Sequence, residues 1–150
     1  MNTLIDPVTE VSRVIGRFRR QLRRSTGRGF DSVRLTESQS ELLWLVGRQP
    51  DISVSAAAAE LGLVANTAST LVSKLVDKGL LVRTARQTDR RVGQLRLTGA
   101  AQQIVDTSRA TRKAALAEVL NELDDDQIDS LAKGLEVLDT MTRRLQERPQ

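Results

Sequence analysis

Reactive side chains are scarce in this sequence, and that scarcity limits the chemistry open to it. Among 150 residues there is no cysteine and no histidine. Disulfides, thiolate and imidazole metal sites, the commonest general base and the best nucleophile are all excluded. Carboxylates, lysines and hydroxyls remain, yet no paired-carboxylate or Ser/Lys arrangement stands out from ordinary surface charge. No GxxxxGK[ST] or GxGxxG stretch is present to cradle a phosphate. What stands out is a set of hydrogen-bonding groups. In the segment ANTASTLVSK (65–74), Asn66, Thr67, Ser69, Thr70, Ser73 and Lys74 fall on positions a helix does not need for its core. Short polar side chains let a helix approach base edges and phosphates closely, and Asn can pair with adenine through two bonds. A solvated helix face is the plain alternative, but such faces usually carry Glu and Lys for their helix propensity. A second cluster, Arg86, Asp89, Arg90 and Arg91, falls in a short polar run that also reads as an ordinary turn.

These groups need a scaffold, and the hydrophobic spacing supplies one. Asp6-Pro7 reads as an N-cap with proline at the first helical position. Val8, Val11, Ile15, Phe18 and Leu22 then recur every three or four residues, predicting a helix to about Arg24. Thr36 with Gln39 forms a capping box for a second helix, apolar nearly all round through 42–46 and therefore expected deep in the core. Ile52 can add a short extended segment. Ser53 caps the alanine-rich third helix, and Gly62 stops it. A fourth helix runs from about Val64 to Lys78, with Ala68, Leu71, Val72 and Leu75 facing inward and Gly79 closing it. LLVRTAR (80–86) and GQLRLT (93–98) change to the period of strands and predict a hairpin. Thr98 caps a long fifth helix. Asp124 with Gln127 opens a sixth, striped by Ile128, Leu131, Leu135, Leu138 and Leu145. The order is four helices, a hairpin and two helices, with Gly62-Leu63-Val64 as the tight turn of a helix-turn-helix.

At AAELGLVANTASTLVSKLVDKGLLVR, followed by TDRRVGQLRLT, the chain resembles the multiple-antibiotic-resistance regulator (MarR) family. The resemblance is carried by the LxxKGLLxR run into the first strand, the D-x-R at Asp89 and Arg91, and the LxLT at Leu95–Thr98. It implies a mainly α, winged helix-turn-helix fold, with a DNA-binding lobe at about 35–98 and helical dimerisation regions at about 7–25 and 99–147. It further implies a homodimer on double-stranded DNA, with fourth helices in successive major grooves and hairpin wings in the minor grooves. In the family pattern the D-x-R arginine enters the minor groove or touches phosphate and the Asp orients it, which assigns insertion to Arg91 and orientation to Asp89; Arg90 is a candidate phosphate contact, and Arg86 flanks the same hairpin. A narrow minor groove concentrates negative potential and favours such an arginine. Arg83 is the flanking residue that can instead pair with a carboxylate. The sequence departs from the family pattern at Val64, where a capping Ser is usual, at Ala57 and at Ala101.

The apolar stripes of the terminal helices are too long for the small lobe to cover, and mutual burial with a second copy would form a helical interface. Packing of helix one on helix six within the chain is the alternative. The resemblance also implies an effector pocket between the helical region and the lobe. Phe18, Phe30, Trp44 and the arginines of helix one are candidates for a phenolic or anionic ligand, although Phe18 and Trp44 equally suit the core. No cofactor and no metal are expected. Charge is unevenly spread: residues 1–113 hold 19 Lys/Arg against 10 Asp/Glu, whereas 114–150 hold 4 against 9. A basic body facing phosphates, with an acidic tail away from them, fits a nucleic-acid partner. No apolar run reaches the roughly 18 residues of a membrane span and no secretion signal opens the chain, so a cytoplasmic protein is expected. The functional expectation is a ligand-responsive repressor on an inverted-repeat operator. The rival readings are a winged-helix module that binds protein alone and, more remotely, an enzyme built on carboxylates and lysine.

Overall fold

The computed structural model of the chain describes residues 6–26, 33–85 and 93–149. Six helices lie among them: α1 (Pro7–Thr26), α2 (Glu37–Arg48), α3 (Val54–Leu61), α4 (Ala65–Asp77), α5 (Gly99–Leu120) and α6 (Asp125–Gln146). Three short strands, β1 (Ile52–Ser53), β2 (Leu81–Ala85) and β3 (Gly93–Leu97), form one antiparallel sheet in the order β1-β3-β2.

Local chemistry accounts for most boundaries. The Asp6 carboxylate accepts the Val8 and Thr9 N–H groups at 3.2 and 3.3 Å, and Pro7 needs no partner. The capping boxes Thr36/Gln39 and Asp124/Gln127 are both complete. Ser53 Oγ accepts the Ala56 N–H, and Gly62 ends α3 in the left-handed conformation at φ 66°, ψ 33°. Its own N–H turns back to the last carbonyls of α3, so the turn into α4 is sharp and satisfied. Thr98 caps α5 and also donates its hydroxyl to the Gly79 carbonyl at 2.8 Å, tying the end of the sheet to the end of α4.

The core is a single apolar cluster enclosed by α2, α3, α4, the sheet and the start of α5. Leu42, Leu43, Leu45, Val46, Val72, Leu75, Leu80, Leu81, Leu95 and Val105 are its principal members. As expected, α2 is buried on most sides. Burying one such aliphatic side chain contributes about 1.5–3 kcal/mol, so this cluster holds the lobe together. Where α2 crosses α5 the helices are so close that a Cβ on Gly47 would lie 3.0 Å from Val105 Cγ1. β1 proves to be the third strand: Ile52 pairs with Leu95 and Ser53 with Gln94. Asp51, just before it, takes a left-handed φ of 69°, and its carboxylate is gripped on both oxygens by the Arg96 guanidinium. Arg96, rather than Arg83, is thus the strand arginine with a carboxylate partner; Arg83 is exposed and makes no ion pair among the described residues.

The terminal helices stand apart from this core. α1 packs against α5 and has no fully buried residue, and α6 has none either. Val8, Val14 and Phe18 on α1 are exposed, as are Ile128, Leu131, Leu135, Val137, Met141 and Leu145 on α6. The order of elements and the three-stranded sheet are those of a winged helix-turn-helix with added terminal helices, as the sequence led one to expect.

Candidate nucleic-acid interface

α4 is two-faced because its sequence is. Ala68, Val72 and Leu75 are buried, and these three anchor the helix on the core. Of the remaining positions, Asn66, Thr67, Ser69, Thr70, Ser73 and Lys74 are all exposed, as are Ala65, Val76 and Asp77, while Leu71 is half-buried. The Thr70 hydroxyl donates to the Asn66 carbonyl at 2.9 Å, which leaves its oxygen lone pairs facing outward as acceptors. Asn66, Thr67, Thr70 and Lys74 share a shallow hollow of about 340 Å³ with Thr36 and Gln39 from the first turn of α2. The Gln39 side chain is buried and committed to the capping box, so it supports this wall and is not free to bind. The six α4 residues singled out from sequence therefore form one contiguous, ungated polar surface. The arrangement can hydrogen-bond an extended polar partner. Arg86, Asp89, Arg90 and Arg91, and with them the tip of the wing, lie outside the described residues.

A second feature lies where α1, α2, α3 and α5 meet. Trp44, half-buried on α2, floors a hollow of about 500 Å³ with Leu22, Leu35 and Leu61 among its apolar walls. Arg112 of α5 lies over the indole with its guanidinium carbon 3.2 Å from the ring centroid. Its Nε is buried and has no hydrogen-bond partner among the described residues. Burial, reinforced by the nearby positive charges of Arg19, Arg48 and Arg23, pushes the Arg112 pKa below its ordinary value. Two of those neighbours are neutralised. Arg19 pairs with Glu37 and Glu41, and Arg23 pairs with Glu37, stitching α1 to the first turns of α2. Arg48 and Arg112 have no carboxylate partner among the described residues. The hollow thus joins a small apolar floor to a charged rim, in which Arg48 and Arg112 lack an ion pair among the described residues and the Glu60 carboxylate also takes part in the lining.

Of the sequence candidates for this hollow, Trp44 lines it. Phe18 does not: it is 54% exposed on α1, neither in the core nor at the slot. Phe30 lies outside the described residues. Among the helix-one arginines, Arg19 and Arg23 line it, while Arg17, Arg20 and Arg24 point elsewhere. Sequence reading missed Arg112, Arg48, Glu37 and Glu41. Their only signal was a basic or acidic residue on a mixed helix face, and nothing local says which partner such a face meets.

Residues 35–92 match the model of the MarR family. No curated protein matches the sequence. Solved structures with similar coordinates include Streptococcus pneumoniae FabT in complex with DNA, with a TM-score of 0.80 and 22% identity over 93% of this chain and 99% of that one. A MarR transcriptional regulator from Methanosarcina mazei Go1 superposes with a TM-score of 0.73 and 18% identity over 91% and 99%. MepR of S. aureus, in its DNA complex, gives 0.69 and 17% identity over 87% and 96%. At these identities the superpositions establish a shared fold along nearly the whole chain.

Proposed function

We propose that the chain is a DNA-binding transcriptional regulator of the MarR type, working as a homodimer on an inverted-repeat operator. The observation that carries this reading is the face of α4. Six short polar or cationic side chains, from Asn66 to Lys74, stand exposed on a helix whose opposite side is locked into the core. A rigidly mounted helix with such a face fits the major groove, with Asn66 as the base reader and Lys74 as a phosphate contact. The family match over residues 35–92, and the DNA complexes among similar structures, support the same conclusion. Arg91, with Asp89 beside it and Arg90 and Arg86 flanking, supplies the minor-groove contact of the wing.

The exposed apolar residues of α1 and α6 are the dimer interface in this reading. They leave water only when a second copy covers them. Two-fold pairing then calls for half-sites about 34 Å apart. The Trp44–Arg112 slot is the effector site, and the ligand class is a small anion with a flat apolar body. Bound there, between α1, α5 and the lobe, it would act on the spacing of the two α4 helices, which is how it would set repression.

The test is a selection of bound duplexes from a random pool, followed by titrations of the parent and of Asn66→Ala on the selected site and on random duplex. Affinity for random duplex should fall steeply with salt, as expected for counterion release. Asn66→Ala should cost on the order of 1–3 kcal/mol on the selected site and little on random duplex. Equal losses on both would make Asn66 a backbone contact. Failure to enrich any duplex would favour a protein-binding module in place of a DNA reader.

A further inference from the structure

Five of the six helices described begin beneath an oxygen-bearing side chain. Asp6, Thr36, Ser53, Thr98 and Asp124 each accept a first-turn backbone N–H. α4 is the exception. Its N-cap is Val64, which has the extended backbone of a cap (φ −72°, ψ 154°) but offers no side-chain acceptor. Ser, Thr, Asp or Asn would hold the helix start better at this position. The isopropyl group gains nothing from burial to offset that loss, because Val64 is 62% exposed. A local rule kept at five helix starts and broken at the sixth points to a demand other than folding.

The surroundings indicate what that demand is. Val64 stands at the leading end of the exposed α4 face, immediately before the exposed Ala65, Asn66 and Thr67. The first turn therefore presents an apolar tip followed by hydrogen-bonding groups. On the major-groove edge of duplex DNA, one base alone carries an apolar group: thymine, through its 5-methyl. Cytosine carries only a C5–H at that place, so the isopropyl group would lose its apolar partner and lie beside an amino donor on C4 that it cannot satisfy, which is costly once water is excluded. We infer that Val64 is a specificity-determining residue, its isopropyl group covering the 5-methyl of a thymine in each operator half-site. This inference rests on the DNA-binding reading above and adds to it an apolar contact beside the polar ones.

Replacing thymine by deoxyuridine removes the methyl group and nothing else. In duplexes selected by the full-length protein, each thymine is exchanged in turn, and binding is measured for the parent, Val64→Ala and Val64→Ser. One thymine per half-site should bind the parent about fourfold more weakly as deoxyuridine, the worth of roughly one carbon taken out of water. Both variants should bind the thymine and deoxyuridine versions of that position equally, while keeping the parent's response elsewhere in the site. Val64→Ser restores a capping hydroxyl, so its Tm should not fall, which separates a lost contact from a damaged fold. Retention of the parent's thymine preference by Val64→Ala and Val64→Ser overturns the assignment. So does a parent protein indifferent to every thymine-to-deoxyuridine exchange. A protein that binds no duplex overturns the DNA-binding reading itself, and this contact with it.

Discussion

Arg112 is poorly housed for a cation, and replacing it by methionine separates a structural role from a binding one. Its stacking on Trp44 at 3.2 Å contributes about 1 kcal/mol, within the usual range for a partly desolvated cation–π pair. Against this, its buried Nε lacks a hydrogen-bond partner among the described residues, a loss of about 1–3 kcal/mol. Burial and the repulsion of Arg19, Arg48 and Arg23 act in the same unfavourable direction. Methionine is of similar length, needs no hydrogen bond, and keeps a sulfur–aromatic contact worth about 0.3–1.5 kcal/mol. Arg112→Met should therefore leave stability unchanged or raise it by about 1 kcal/mol. The assay is urea unfolding followed by the fluorescence of Trp44, the sole tryptophan in a chain without tyrosine. With a urea slope of about 2 kcal/mol per molar, such a gain moves the midpoint up by about 0.5 M. In the folded state benzoate, a flat monoanion, should perturb Trp44 emission in the parent and not in Arg112→Met. A loss of more than about 1 kcal/mol with an unchanged slope would show that the guanidinium props the fold. An undiminished benzoate response would remove Arg112 from the anion site.

Gly62→Ala should destabilise by about 1–2 kcal/mol, because a side chain is forced into the left-handed region at φ 66°. Nothing lies within 4 Å of the added Cβ, so the whole effect is backbone strain; an unshifted urea midpoint would mean the turn is not held left-handed. The Arg96 guanidinium holds the Asp51 carboxyl below its ordinary pKa, chiefly through their hydrogen bond. A depressed folded-state pKa contributes stability that is fully present above the ordinary carboxylate value and is lost as pH falls through the folded value. Asp51→Asn should accordingly be less stable than the parent near neutrality, with the difference shrinking below about pH 4. A difference that persists unchanged in acid would contradict the ion pair. Leu135→Asp, on the exposed stripe of α6, should convert dimers to monomers in sedimentation experiments with little change in far-UV circular dichroism. A dimer that survives would move the interface elsewhere.

Much of the fold was legible along the chain because its signals act over three or four residues. The Thr36/Gln39 and Asp124/Gln127 boxes and the Gly62 stop each join neighbours in sequence, so recognising the residue types suffices to place the helix end. The α4 face was legible for a related reason. Once Ala68, Leu71, Val72 and Leu75 are assigned inward, helical geometry puts Asn66, Thr67, Thr70 and Lys74 on the outside. Phe18 shows where periodicity stops: it marks a residue as belonging to an apolar stripe but does not say which part of that stripe a neighbour covers, and α5 leaves Phe18 exposed while Val11, Ile15 and Leu22 are half-buried.

Contacts between distant segments were decided by tertiary structure alone. Arg112 meets Trp44 only because α5 crosses α2 closely at Gly47, and Arg96 finds Asp51 only because β1 joins β3. The glutamates that hold Arg19 and Arg23 lie on the following helix, at positions no local pattern distinguishes from ordinary surface charge. Charges interact through space and carry no period along the chain. Their partners, and with them the hollow beside Trp44, come into being only when hydrophobic burial has fixed how the helices cross.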